Sequence, residues 1–319
     1  MKHLKFIFSL IICILLISCE KGEVSLKQME QNDEAETTSI STNDTELNGQ
    51  LFSIISTYQG MQDYIDEARD KGDSANLRLL YMEHVFTPVW EACYKDGEYL
   101  SLINNYTANP PTNLNKLESD IERMSKRNIE EIVKEALLKS AEALPGPDTN
   151  VCILPYNEHA GGIGVNVGAG KITLYFNEQI LYSDKEIAGT IAHEYHHSVW
   201  TDNYYESSKM TLLDYLIFEG RAESFKHMIY PEARVFTIPS SLEEQHWIKV
   251  SDSLESLDWN LHQQVMFGGG GFPSFYGYAL GFNIVQDFIE HNPTMSVEEW
   301  TALSAEEIFN GSNYENSFK

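Results

Sequence analysis

The chain has 319 residues, of which 42% are hydrophobic and only 10 are proline, so it can form a packed core and is neither collagen-like nor disordered over most of its length. Its 48 acidic residues far outnumber its 22 basic ones, which gives a formal net charge of -26. A chain this acidic lacks the cationic surface that binds phosphate backbones, so we expect no nucleic acid among its partners.

The first 18 residues have the composition of an export signal. A short basic start is followed by an apolar run over residues 6–17. Twelve helical residues extend about 18 Å, too short for a hydrocarbon core of about 30 Å. The ending LISC, at residues 16–19, resembles the lipobox of bacterial lipoproteins. The resemblance implies cleavage before Cys19, lipidation of its thiol, and a lipid-anchored protein of the cell envelope, outside the cytoplasm. Ordinary secretion is the alternative.

Residues 19–48 are rich in Ser, Thr, Asn and Glu and contain few apolar side chains. Such a segment cannot bury enough surface to offset the entropy lost on ordering, so we predict a flexible tether. Two cysteines remain beyond it, Cys93 and Cys152. An oxidising compartment would allow them to form a disulfide, and two buried free thiols fit the sequence equally well.

The sequence pattern over residues 49–150 predicts a helical region. Its clearest helix covers 129–144, where apolar residues recur at spacings of three and four, with Asn128 as the predicted N-cap. A second helix is predicted over 75–86, with a restart after Pro88.

The pattern changes at residue 151. Residues 151–155 (VCILP), 163–167 and 171–176 (KITLYF) are short strand candidates, and glycines surround the middle one. Helical patterns follow them. Strands followed by helices predict an α+β domain over 151–319, with the helical region packed against it.

One sequence motif is typical of metal-binding sites. Ser183 and Glu186 form a capping box that opens a helix, and this helix carries HExxH as His193, Glu194 and His197. Residues four apart lie one above the other on a helix, so both imidazoles can converge on one ion. Glu194 lies on the adjoining side, where it would face a water bound to that ion.

A catalytic zinc ion usually has three protein ligands and one water. A second helix is predicted to start at Thr211, and it places Glu219 and Glu223 one turn apart on an otherwise apolar stripe. Buried carboxylates need a positive partner, so either residue is a candidate third ligand. Gly220 costs about 1 kcal/mol relative to Ala inside a helix, and we attribute it to close approach to the HExxH helix.

HExxH followed by a ligand Glu on a second helix resembles the pattern of the gluzincin metalloproteases, which have a zincin-like fold. The residues EGRA at 219–222 are similar to the stretch that carries the ligand Glu in zinc aminopeptidases. From residue 151 onward the chain looks most like a bacterial family of zinc-dependent proteases whose function is unknown. The matching pieces are VCILP, the glycine-rich hairpin, AHEYHH, EGRAE and GYALG.

The resemblance implies one zinc per chain, held by His193, His197 and Glu219. It also implies Glu194 as the general base of peptide hydrolysis and Glu223 as a residue that orients a ligand histidine. Tyr278 is the candidate donor to the oxyanion, with a plain core aromatic as the alternative. His196 is expected to be packed or to support the site.

Zincins commonly bind extended substrate beside the active-site helix, so the hairpin at 163–176 is the predicted rim of the cleft. The loop at 267–273 is either a cover for the cleft or a linker. The sequence therefore predicts a membrane-tethered zinc metallopeptidase that acts on peptides or proteins. Two rivals are a non-catalytic binding or assembly lipoprotein with this fold, and a zinc-binding lipoprotein.

Overall fold

A computed structural model of the chain describes residues 41–207 and 209–318. They belong to one compact unit. The predicted signal, the predicted lipidation site Cys19 and most of the predicted tether lie outside the described residues. Among the described residues, no helix is both long and apolar enough to cross a membrane.

The described chain begins with a β-hairpin. Strands β1 (Ser41–Leu47) and β2 (Gln50–Ser56) pair antiparallel, and the residues between them are Asn48 and Gly49. Both have positive φ, 54° and 90°, as expected for the type I′ turn that Asn-Gly favours. We predicted tether and helix over 41–56, and this was wrong. The Asn-Gly turn was the missed signal, because β1 itself is too polar to read as a strand.

Strand β2 continues into a five-stranded mixed sheet. The other strands are β3 (Thr149–Pro155), β4 (Gly164–Gly168) and β5 (Lys171–Phe176), and all three were predicted. Their order is β1-β2-β3-β5-β4. β3 runs parallel to β2 and β5, whereas β4 is an antiparallel edge strand. The sheet therefore joins chain segments from both sides of residue 150, the predicted domain boundary.

Helices connect β2 to β3, as predicted for most of this region. They are α1 (Tyr58–Lys71), α2 (Leu77–Tyr81), α3 (Trp90–Cys93), α4 (Asn104–Ala108), α5 (Leu114–Ser125) and α6 (Ile129–Ala143). Between α2 and α3 the chain passes through a π-turn and a 3-10 turn, which correspond to the predicted restart at Pro88. Asn128 is not the predicted side-chain cap of α6: its backbone is left-handed, with φ 52°, and its side chain makes no capping bond.

A disulfide joins this helical region to the sheet. Cys93, at the end of α3, is bonded to Cys152 in β3, and their Cα atoms are 6.1 Å apart. The structure therefore favours the disulfide over the two free thiols that the sequence left as an alternative.

The remaining helices follow β5 and complete an α+β architecture. They are α7 (Asp184–Tyr204), α8 (Leu212–Ile229), α9 (Ser240–Val250), α10 (Trp259–Phe267), α11 (Tyr276–His291), α12 (Val297–Ala302) and α13 (Ala305–Gly311). Ser183 caps α7 through the backbone N–H of Glu186, as predicted, whereas the Glu186 carboxylate accepts the backbone N–H of Arg234.

The structure explains the glycine at position 220 by a different helix contact from the one that we predicted. A Cβ at Gly220 would overlap the backbone of Gly281, and a Cβ at Gly281 would overlap the carbonyl of Leu216. The close approach is therefore between α8 and α11, and not between α8 and the HExxH helix α7. Two facing glycines let the α8 and α11 backbones touch, which fixes the position of Glu219 next to Gly220.

Candidate metal centre

Helix α7 places the two histidines of the motif as the spacing predicts. His193 and His197 are both buried, and their Nε2 atoms face each other at 3.0 Å. The rings are nearly perpendicular, with centroids 4.6 Å apart. One turn of helix therefore brings two imidazole lone pairs to a common point.

Helix α8 supplies the third group. Oε2 of Glu219 lies 3.2 Å from Nε2 of His193 and 3.2 Å from Nε2 of His197. The candidate ligand atoms of these three residues all lie within 4.8 Å of one another. A tetrahedral zinc ion with bonds of about 2.0–2.1 Å separates its ligand atoms by about 3.3 Å, so the residues fit this ion.

Glu223 faces the other side of the His193 ring. Its Oε1 lies 3.0 Å from Nδ1 of His193, and it also accepts a bond from Nζ of Lys226 at 2.5 Å. Because Nδ1 and Nε2 point in different directions, Glu223 lies away from the point shared by the other three groups. Such a contact restricts the rotation of the His193 ring.

The charges of the cluster also suit a divalent cation. Glu194 and Glu223 are buried, the Glu219 side chain is only 15% exposed, and the buried ammonium group of Lys226 offsets one of these three carboxylates. Burying the remaining two negative charges would be costly without a positive partner. A zinc ion would supply the two positive charges that this set of side chains lacks.

The pKa values of His193 and Glu219 reflect the same excess of negative charge. Burial lowers the pKa of His193, but its bonds to Glu219 and Glu223 outweigh this and raise the pKa to about 10. Burial raises the pKa of the Glu219 carboxyl, but the two histidines outweigh it and hold the pKa well below its usual range. In this arrangement a proton on His193 provides the positive charge that a metal ion would provide when bound.

Glu194 is buried between α7 and the edge strand β4. Its Oε2 accepts the backbone N–H of Asn166 at 2.7 Å. A Cβ at Gly164 would lie 2.7 Å from Oε1 of the same carboxylate, so the glycine leaves the space that Glu194 occupies. Burial raises the pKa of Glu194, which brings its carboxylate closer to the range of an effective general base.

Tyr278 lies beside the centre at the start of α11. Its hydroxyl donates to Oε1 of Glu219 at 3.2 Å, and its ring stacks on that of His193 with centroids 6.4 Å apart. Burial, reinforced by the nearby carboxylates, raises the pKa of Tyr278 well above 10, so the hydroxyl keeps its proton and remains a donor. The structure thus brings the Tyr278 hydroxyl into direct contact with the candidate centre.

His196 lies on a different face of α7. Its Nε2 is 3.2 Å from the hydroxyl of Thr301, and its ring stacks on Trp300 with centroids 5.5 Å apart. Burial lowers the pKa of His196 well below 6.5, so the ring is neutral. These contacts are those of the packed residue that the sequence predicted.

The sequence did not predict three neighbours of the centre. The backbone of Asn166 holds Glu194, Lys226 pairs with Glu223, and the ring of Phe218 stacks on His197 at 4.0 Å. Lys226 could have been found, because it follows Glu223 by three residues and so lies on the same helix face. The other two depend on how β4 and α8 pack against α7.

The predicted rim and loop both have defined positions. β4, within the predicted rim, is the edge strand beside α7. All four glycines at 268–271 have positive φ, between 58° and 116°, and Gly269 and Phe272 form an isolated bridge. The loop is therefore a folded turn between α10 and α11, and the ring of Phe267 at its start lies 6.0 Å from that of Tyr278.

Two known proteins are similar to this chain over part of its length. The Uncharacterized protein YjaZ of Bacillus subtilis (strain 168) is 31% identical over 157 residues, which are 45% of this chain and 60% of that protein. The Uncharacterized protein YjfC of the same organism is 31% identical over 145 residues, which are 40% of this chain and 47% of that protein. The chain thus spans less than two thirds of the length of both relatives.

No solved structure matches the chain significantly. A family profile does match, over residues 129–310, a segment that includes α6, the strands β3 to β5 and both helices of the candidate centre. Because this segment is more than half of the 319 residues, the chain belongs to the family described as Predicted Zn-dependent protease (DUF2268).

Proposed function

We propose that this protein is a zinc metallopeptidase with a gluzincin-type ligand set in a zincin-like fold. His193, His197 and Glu219 are the proposed ligands. The observation that carries the proposal is the convergence of their Nε2, Nε2 and Oε2 atoms at separations of 3.0–3.2 Å, with a buried carboxylate, Glu194, on the adjoining face of α7. A site built only to store metal has no need of this additional carboxylate.

When bound, zinc supplies a Lewis acid that lowers the pKa of a water and polarises the scissile carbonyl. Glu194 takes the proton from the attacking water and passes it to the leaving amine. The bond from the Asn166 N–H fixes one carboxylate oxygen, which leaves Oε1 for this proton. Tyr278, which keeps its own proton, donates to the oxyanion that develops on the substrate carbonyl.

Glu223 and Lys226 act through His193. The Glu223 carboxylate holds the Nδ1 side of the ring, so that Nε2 remains directed at Glu219 and His197. Lys226 in turn keeps Glu223 ionised in the interior. Both are positioning residues and do not touch the reacting atoms.

The proposed location is the cell envelope, outside the cytoplasm, with the protein tethered to a bacterial membrane through a lipidated Cys19. The support is the short apolar run and the LISC ending at residues 16–19. The Cys93–Cys152 disulfide is consistent with an oxidising compartment. The proposed substrates are peptides or proteins outside the cytoplasm.

The test combines metal content with turnover. Protein that begins after Cys19 is purified without added metal, analysed for zinc, and incubated with a library of internally quenched peptides. We expect one zinc per chain, cleavage by the unchanged protein, and zinc without cleavage in Glu194→Gln. Glu186→Gln, on the same helix, is the matched control and should keep both. Cleavage that survives in Glu194→Gln would refute the proposed mechanism.

A further inference from the structure

A group of aromatic rings extends from the candidate metal centre to the surface. We call it the aromatic cluster; its members are Phe236, Phe267, Phe275 and Tyr278. The ring centroids are 4.7 Å apart for Phe236 and Phe275, 5.3 Å for Phe236 and Tyr278, 5.8 Å for Phe275 and Tyr278, and 6.0 Å for Phe267 and Tyr278. Since Tyr278 also donates to Glu219, the cluster begins directly at the proposed ligands.

Two rings of the cluster are open to solvent. Phe267 is 46% exposed and Phe275 is 41% exposed. Exposed aromatic side chains next to convergent polar groups are typical of ligand-binding grooves. The backbone brings them together: a Cβ at Gly277 would lie 2.9 Å from Cα of Met266, so the start of α11 packs directly against the end of α10.

The backbone at Phe275 adds a second argument. Its φ of 58° and ψ of 29° are left-handed, a conformation that bulky side chains rarely adopt and that Asn or Gly adopts at lower cost. An exposed ring contributes little to the core in return for this strain. Strained residues of this kind concentrate at binding sites, where the side chain itself is used.

The cluster is also tied to the residues that support the centre. Nζ of Lys226 lies 5.8 Å from the centroid of the Phe236 ring, while the same ammonium pairs with Glu223. Phe236 is therefore held by the charge network of the metal centre on one side and by the Phe275 ring on the other. This contact keeps the inner part of the cluster in a fixed position relative to the proposed ligands.

We propose that the aromatic cluster is a substrate subsite that takes an aromatic or large aliphatic side chain adjacent to the scissile bond. The inference rests on the proposed function, because that function makes a peptide the ligand. Rings of Phe267 and Phe275 would lose solvent exposure against this side chain, and edge or offset contacts between rings would favour an aromatic one.

The test measures binding rather than turnover. Zinc-loaded protein is titrated calorimetrically with phenylalanine hydroxamate and with alanine hydroxamate, which offer the same metal-binding group with a benzyl or a methyl side chain. We expect the unchanged protein to bind the benzyl compound about tenfold or more tightly than the methyl compound. In Phe267→Ala and in Phe275→Asn we expect this ratio to fall below about threefold, with the methyl compound bound as before.

Phe275→Asn is the sharper variant, because Asn tolerates the left-handed backbone and should leave folding intact while removing the ring. Tyr182→Ala is the matched control, since this tyrosine is 60% exposed and precedes α7, and it should keep the full ratio. Equal binding of the two compounds by the unchanged protein, or a ratio unaffected by both Phe substitutions, would overturn the subsite and leave the metallopeptidase proposal in place. Failure to bind either compound would overturn both.

Discussion

Gly164 and Glu194 are matched in space: a Cβ at the glycine would lie 2.7 Å from Cγ and from Oε1 of the glutamate. The edge strand β4 therefore approaches α7 closely only because position 164 has no side chain. The same strand donates the Asn166 N–H to Oε2 of Glu194. One short strand thus both leaves room for the proposed general base and fixes its orientation.

Gly164→Ala should separate metal binding from turnover. The added methyl group displaces the Glu194 carboxylate, and a misplaced general base costs about 10²-fold in rate or more. Zinc content should not change, because the atoms nearest to this position belong to Glu194 and Thr190, neither of which is a proposed ligand. Gly161→Ala is the control, since its nearest neighbour would be 3.3 Å away, and it should retain turnover. Loss of zinc from Gly164→Ala would show that β4 supports the ligands themselves.

Glu219 and Glu223 should differ in their effect on zinc. Glu219→Ala removes a proposed ligand, so bound zinc should be lost on gel filtration. Glu223→Gln removes only the charge behind His193, so the stoichiometry should stay at one while the affinity falls about 10–100-fold. Competition with a chromophoric chelator measures the stoichiometry and the affinity of zinc binding in each variant. If Glu223→Gln lost the metal and Glu219→Ala kept it, the assignment of the third ligand would be reversed.

Gly220→Ala should destabilise the protein although Ala favours helices. A Cβ at this position would overlap the Gly281 backbone, and forcing extra volume into a packed interface costs about 1–3 kcal/mol. Zinc affinity should fall as well, because Glu219 is the preceding residue. Met228→Ala, on the same helix at a side chain that is 48% exposed, should change the free energy of unfolding by less than about 0.5 kcal/mol. Urea denaturation of both variants provides the comparison.

The Cys93–Cys152 disulfide should contribute substantially to stability. The two cysteines are 59 residues apart in the chain, and a loop of this length corresponds to about 4 kcal/mol of lost entropy in the unfolded state. The double variant Cys93→Ala with Cys152→Ala should therefore unfold at a lower urea concentration while it still binds one zinc per chain. Unchanged stability after removal of both thiols would show that the unfolded chain is already compact around this loop.

Local spacing was sufficient for several elements of the fold and site. The apolar periodicity predicted α6, the β-branched and aromatic runs predicted β3 and β5, and the HExxH spacing predicted that His193 and His197 face one point. Each of these depends on residues within a few positions of one another, where helix or strand geometry alone sets the relative placement of side chains.

Contacts between distant segments could not be predicted in this way. The turn between Leu47 and Gln50 was recognisable in the sequence as Asn-Gly, because it is local. The pairing of β2 with β3 was not recognisable, because it joins residues almost one hundred positions apart. The sequence also could not show that Gly220 packs against Gly281. A glycine at position 220 would be needed for close contact with the backbone of any neighbouring helix.

The sequence by itself determined that two histidines and a glutamate lie together on one helix, and that two more glutamates follow on the next. Only the tertiary structure decided that Glu219 joins the two Nε2 atoms and that Glu223 lies behind His193. Both glutamates occupy the same stripe of α8, so their spacing is equivalent within the helix. The position at which α8 packs against α7 and α11 distinguishes them, because it brings Glu219 level with the two Nε2 atoms and Glu223, one turn further on, level with Nδ1 of His193.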